Sequence, residues 1–189
     1  MRALGLFCSS SDNLPPVTRE LAYALGKACG ERGIRLVYGG GARGLMGIAA
    51  RAARDAGGEV EGYMLEALHE REGASTAIGE LRFVSTLEER KRAICAAAEA
   101  FVALPGGIGT LDELTEILTL DDIGLADKPV CLVDADGFWD PFFSMLEAFG
   151  AYGVMRPGVR ANLRRAAGAF EALDLCEAAL GQSRGRRAA

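Results

Sequence analysis

The sequence predicts an α/β fold, a Rossmann-like doubly wound parallel sheet with helices on both faces. Two observations carry this. Short apolar runs rich in Val, Leu and Phe alternate with longer segments of helical period. The runs are almost continuously apolar, as strands covered on both faces must be. In such sheets ligands bind outside the carboxyl ends of the strands, so the loops there are the first place to look for chemistry.

Taken in order, Ala3–Cys8 is an apolar run that stops at Ser9-Ser10-Ser11-Asp12 and reads as the first strand. Pro16–Glu31 follows with helical period, then the strand Arg35–Tyr38 and the helix Leu45–Ala56. Strands are expected again at Glu59–Tyr63, Arg82–Val84, Ala100–Leu104 and Val130–Val133. The remaining helices are expected at Leu87–Ala98, Thr110–Gly124, Pro141–Phe149 and Ala169–Leu180. No repeat, long linker or low-complexity stretch interrupts this order, so residues 1–180 form one domain. Residues 181–189 are small and basic and read as a flexible tail.

Composition narrows the function. Of 189 residues, 50% are hydrophobic, enough for one substantial core. The formal net charge of -5 excludes broad neutralisation of a nucleic acid, which needs a concentrated excess of Lys and Arg. The five cysteines, Cys8, Cys29, Cys95, Cys131 and Cys176, are widely spaced without a C-x-x-C pair. That spacing predicts neither disulfides nor a zinc site but buried, reduced thiols in a cytoplasmic protein. The single His69 excludes a histidine-rich metal site. The first apolar run is too short for a signal peptide, and no run approaches the roughly 18 apolar residues of a membrane span.

Three loops fall at the carboxyl edge of the expected sheet: Ser9–Asn13, Gly39-Gly40-Gly41-Ala42-Arg43-Gly44 and Pro105-Gly106-Gly107-Ile108-Gly109-Thr110. They should converge on one cleft. Glycine lets a ligand approach without meeting a Cβ, and the helix behind such a loop offers unpaired N–H groups and partial positive charge. Together these make an anion site. Neither glycine loop is a Walker A motif. Gly39, Gly41 and Gly44 also satisfy G-x-G-x-x-G, and Glu61 on the next strand could act as the acidic ribose ligand, so a dinucleotide reading stands beside the phosphate one.

Thr110 opens a helix carrying Asp112, Glu113 and Glu116. For Asp112 and Glu116 the plain reading is charge favoured near a helix N-terminus capped by Thr110. Glu113 stands one turn from the proposed phosphate cradle and is a catalytic candidate. The run Glu88-Glu89-Arg90-Lys91-Arg92 reads locally as a solvated helix start.

The ordered set Gly39–Gly47, Glu89-Arg90-Lys91 and Pro105-Gly106-Gly107-Ile108-Gly109-Thr110-Leu111-Asp112-Glu113 resembles the Lonely Guy (LOG) family of cytokinin riboside 5′-monophosphate phosphoribohydrolases, often labelled lysine decarboxylase-like. The resemblance implies hydrolysis of the N-glycosidic bond of an N6-modified adenosine monophosphate, giving free base and ribose 5-phosphate, with no metal or organic cofactor. By position it puts the catalytic pair on Arg90 and Glu113. It puts substrate contacts on Glu72, Lys91, Gly107, Ile108, Gly109, Thr110, Leu111, Asp112 and Thr119; Gly40 and Gly41 of the first loop are further candidates. It also implies a homodimer, for which Ile117, Leu118, Leu120, Ile123, Phe142, Phe143 and Phe149 offer apolar surface.

Leu87-Glu88 replaces the family's usual Met-His, Leu120 its tryptophan, and Gly62–Leu65 lacks its proline. These changes fall on the base pocket, leaving plain AMP as a substrate beside N6-modified nucleotides. The lysine decarboxylase label finds little support, because a pyridoxal phosphate enzyme needs a lysine placed for a Schiff base. Of Lys27, Lys91 and Lys128 only Lys91 is a candidate, and the Arg-Lys substrate motif already accounts for it. The alternative from another class is a nucleotide-binding sensor or carrier that catalyses nothing.

Overall fold

The computed structural model describes residues 1–69, 76–134 and 136–188, with side chains to residue 182. Among these the strands are β1 (Ala3–Phe7), β2 (Arg35–Tyr38), β3 (Val60–Leu65), β4 (Glu80–Val84), β5 (Ala100–Ala103), β6 (Val130–Val133) and β7 (Leu163–Ala166). The helices are α1 (Pro16–Glu31), α2 (Gly44–Asp55), α3 (Leu87–Ala97), α4 (Ile108–Asp122), α5 (Asp140–Ala151), α6 (Pro157–Asn162) and α7 (Ala169–Ala188), with a 3-10 turn at Glu66–Leu68.

All seven strands pair in parallel in the order β4-β3-β2-β1-β5-β6-β7. Strand order reverses between β1 and β5, so the crevice for a ligand opens where the loops after these two strands part. One core layer packs α1, α2 and α7 on one face of the sheet through Leu25, Leu45, Ala49 and Leu173. The other packs α3, α4 and α5 on the opposite face through Ile94, Leu114, Ile117 and Phe142. The doubly wound expectation holds.

Three features differ from the sequence reading. β7 was not anticipated, because Leu163-Arg164-Arg165-Ala166 carries two arginines; an edge strand tolerates them, since one side of it is free. The six-residue α6 is too short to show a period. Helix α7 continues to Ala188, through residues expected to form a flexible tail. Alanine, glutamine and arginine are good helix formers there.

Four of the seven residues considered for a dimer face, Ile117, Leu118, Phe142 and Phe143, belong to the second core layer instead. Ile123 and Phe149 are exposed. No helix of the described residues is long and apolar enough to cross a membrane.

Candidate active site

The loops after β1 and β5 and the end of the β2 loop line one cleft of about 560 Å³. Its walls are Cys8, Ser9, Ser10, Ser11 and Asp12 from the first, Gly107, Gly109, Thr110, Asp112 and Glu113 from the second, Arg43 and Met46 from the third, and Leu68, Leu87, Arg90 and Lys91 between them. A larger hollow of about 680 Å³ opens at the opposite, amino edge of the sheet beside Arg2, Arg35 and Glu99. None of the glycine-rich loops reaches it, and the candidate site is therefore the carboxyl-edge cleft.

The two glycine loops serve different ends. At α2 the Gly44 N–H donates to Asp12 Oδ1 at 2.9 Å and the Leu45 N–H to the Ser9 carbonyl at 3.0 Å. The helix terminus is closed by the protein's own groups. At α4 the N-cap is Gly107, with no side-chain capping hydrogen bond, and a Cβ at Gly107 or Gly109 would meet nothing within 4 Å. That terminus is open to the cleft and keeps its donors for an anion.

Thr110 is the third residue of α4 rather than its cap, and its side chain is buried against Gly106. Asp112 and Glu116 each lie 3.2 Å from Lys91 Nζ. Burial works against the Lys91 charge, but the hydrogen bonds to these carboxylates outweigh it and hold the ammonium above the usual lysine value. A lysine so held is a poor Schiff-base nucleophile at neutral pH. Lys27 pairs with Glu31 at 3.5 Å, and Lys128 donates to the carbonyls of Cys95 and Ala98. Every lysine is thus engaged away from amine chemistry.

Thr110, Glu113, Leu114, Ile117 and Leu118 follow the helical period and form the buried face of α4. This places Glu113 inward at only 9% exposure. On α3 the phase is set at the start: Thr86 Oγ1 accepts from the Glu89 N–H at 3.1 Å, and Glu89 Oε2 accepts from the Ser85 N–H at 2.9 Å. The cap turns Arg90 and Ile94 inward as the buried residues of the helix. Arg90, at 7% exposure, meets Glu113 with Nη1 and Oε1 3.3 Å apart. Its Nε donates to the Tyr63 carbonyl at 2.9 Å and its Nη2 to the Gly39 carbonyl at 3.1 Å.

Cys8 at the cleft floor is no nucleophile in waiting. Burial pushes its thiol well up, and the Glu113 charge adds to the effect, so sulfur stays protonated at neutral pH.

Of the residues expected at the site, Arg90, Lys91, Gly107, Gly109, Thr110, Asp112 and Glu113 line the cleft together. Ile108 points outward at 82% exposure, Leu111 packs against the second core layer, and Thr119 is exposed on α4. Ile108, Leu111, Thr119, Gly40 and Gly41 are not among the cleft residues. Glu72 lies outside the described residues. Glu61 is spent inside the protein: it is buried, accepts from the Tyr63 hydroxyl at 2.6 Å and pairs with Arg82 and Arg35 at 3.1 and 3.4 Å. The dinucleotide reading thereby loses its ribose ligand. Sequence reasoning placed the loop that carries Arg43 at the cleft but gave no role to Arg43, Met46 or Leu68, which line it.

Residues 46–176 match the family model described as "Possible lysine decarboxylase". Among curated proteins, cytokinin riboside 5′-monophosphate phosphoribohydrolase LOG of Oryza sativa subsp. japonica is 42% identical over 84% of this chain and 66% of its own length. The Arabidopsis thaliana protein of that name numbered LOG2 is 38% identical over 93% of this chain and 83% of its own. Among solved structures, the Moco carrier protein of Chlamydomonas reinhardtii superposes with a TM-score of 0.73 at 22% identity, over 96% of this chain and 98% of that one; at that identity the likeness is one of fold. With the family model spanning most of the chain and the Pro-Gly-Gly-Ile-Gly-Thr loop in its place at the cleft, the chain belongs to the Lonely Guy (LOG) family.

Proposed function

We propose that the protein hydrolyses the N-glycosidic bond of a purine nucleoside 5′-monophosphate, with N6-modified adenosine monophosphates as the principal substrates. The observation that carries this is the buried Arg90–Glu113 pair beside an uncapped helix terminus. A binding module has no use for a carboxylate held inward next to a phosphate that repels it. The relatives named phosphoribohydrolase support the same reaction class.

In this reading the 5′-phosphate sits on the N–H groups of Gly107, Gly109 and Thr110, and this remote binding fixes the ribose for the bond to be broken. Water attacks C1′ as the N9–C1′ bond breaks; the electron pair leaves with the purine, which takes up a proton, and the products are free base and ribose 5-phosphate. Glu113 orients the water and stabilises the oxocarbenium-like centre, as carboxylates do in glycosidases. Arg90 pairs with Glu113 and keeps it turned toward the cleft. Lys91 adds positive charge near the phosphate path, and the family correspondence brings in Glu72 and Thr119. Met46, Leu68 and Leu87 give the cleft an apolar wall for the base.

We also infer a cytoplasmic homodimer. Cys8, Cys29, Cys131 and Cys176 are buried free thiols. Exposed Ile123, Leu125, Phe149, Tyr152 and Val154 lie where the Arg156 N–H meets Asp122 at 3.0 Å, so the ends of α4 and α5 present one apolar surface. Light scattering on the purified protein reads its mass.

The decisive assay follows base release from N6-isopentenyladenosine 5′-monophosphate, from AMP and from the corresponding nucleosides, with Glu113→Gln and Arg90→Ala beside the wild type. Release from the monophosphates alone, lost in both variants, is the expected result. Nucleotide binding without release would make the protein a carrier or sensor.

A further inference from the structure

The glycines of the first loop have no ligand role in the geometry above: the helix terminus behind them is closed by Asp12, and Gly40 and Gly41 do not line the cleft. Yet the loop keeps three consecutive glycines, and the first of them meets Arg90. Gly39 offers its carbonyl to Arg90 Nη2 at 3.1 Å, and a Cβ on Gly39 would overlap that same nitrogen. Gly40 takes a φ of +81°, a left-handed conformation, and turns the chain there.

A further glycine completes the arrangement. Gly62 pairs with Tyr38 in the sheet, and a Cβ on Gly62 would stand 2.8 Å from the Gly40 Cα. The two backbones therefore pack without side chains between them. The carbonyl that follows Gly62, that of Tyr63, receives Arg90 Nε at 2.9 Å. Two neighbouring carbonyls from separate strands thus grip two edges of one guanidinium and leave Nη1 for Glu113 at 3.3 Å. A guanidinium is a rigid planar fork, so fixing two of its nitrogens fixes the third.

We propose that Gly39 is a positioning residue, and that the β2 glycine loop with Gly62 is a carbonyl clamp that aims Arg90 at Glu113. The inference rests on the phosphoribohydrolase reading only for what Arg90 then does; the clamp itself is a statement about Arg90. The atom a Gly39 methyl would meet is the far end of a side chain, not backbone. Gly39→Ala is accommodated by pushing the guanidinium aside, and the loss falls on Arg90.

The test is a double-mutant cycle on Gly39→Ala, Arg90→Ala and the pair, reading melting temperature, kcat and KM for the nucleotide. Gly39→Ala should lower kcat by ~100-fold, the scale of a misplaced catalytic group, with KM within about threefold because the α4 terminus is untouched. In the Arg90→Ala background, which has no activity left to lose, the same substitution should cost nothing further in melting temperature, since the space it needs is empty. Should Gly39→Ala alone fail to fold, the folded double variant gives the same reading. A Gly39→Ala penalty that persists undiminished without Arg90 overturns the clamp. The thermal half of the cycle stands even if no nucleotide is turned over, so failure of the clamp and failure of the proposed reaction are told apart.

Discussion

The Asp12 carboxylate accepts the Gly44 N–H at 2.9 Å and occupies the N-terminus of α2. That single bond separates two loops that look alike in sequence, one closed by the protein and one open to a ligand. It predicts a capping role for Asp12: Asp12→Ala should destabilise the protein by about 1 kcal/mol, the usual worth of a lost N-terminal cap. Urea denaturation monitored by circular dichroism measures it, and an unchanged midpoint would show that the bond contributes nothing.

At α4 the sign of the stability change reverses. Gly109 is the second residue of the helix, and a Cβ there meets nothing within 4 Å. Gly109→Ala should therefore hold or raise stability, by roughly 0.5 kcal/mol, the low end for replacing glycine in a helix. The same methyl projects where a phosphate would approach, so KM for the monophosphate should rise at least tenfold. A variant that melts no lower and binds worse would place the anion at this terminus; unchanged KM would remove it.

Much of this was legible in the sequence, for identifiable reasons. Runs such as Ala100–Ala103 and Val130–Val133 are buried on both faces and leave an unbroken apolar trace. The Pro105–Thr110 loop and the inward period of Thr110, Glu113 and Ile117 are local patterns, visible without a structure. What was not legible acts across the fold. Arg90 meets carbonyls 27 and 51 residues away, and backbone acceptors carry no residue code. Asp12 closing α2 depends on a contact across 32 residues. The role of Gly39 was misplaced for the same reason: a glycine spared for an arginine reads in sequence like a glycine spared for a phosphate.

The Arg90–Glu113 pair should weigh on stability as well as on chemistry. Both side chains are almost wholly buried, and breaking a buried ion pair by removing one partner costs about 3–5 kcal/mol. Arg90→Ala should lose that much in denaturation experiments. Adding Glu113→Leu to it should recover a substantial part, because the buried carboxylate that has lost Arg90 is gone while activity stays abolished. No recovery would mean that the cost of Arg90→Ala comes from its lost contacts to Tyr63 and Gly39 rather than from the broken pair with Glu113.

Acid stability should hinge on Asp134, at the carboxyl end of β6. Burial alone would raise its pKa, but the N–H groups of Trp139, Asp136, Phe138 and Gly137 donate to the carboxylate and together pull it below the usual value. Arg165 Nη2 adds a contact at 3.0 Å. A carboxyl whose folded pKa lies below its unfolded value of about 3.9 contributes stability fully present above that value. The contribution is lost as pH falls from there through the folded pKa. Asp134→Asn cannot accept on both sides of its amide and should cost about 1–3 kcal/mol near neutrality. The gap between variant and wild type should then narrow as pH drops below about 4. Denaturation midpoints for both proteins between pH 7 and pH 3 provide the measurement, and a gap that stays constant with pH would mean that Asp134 stabilises the loop without its charge.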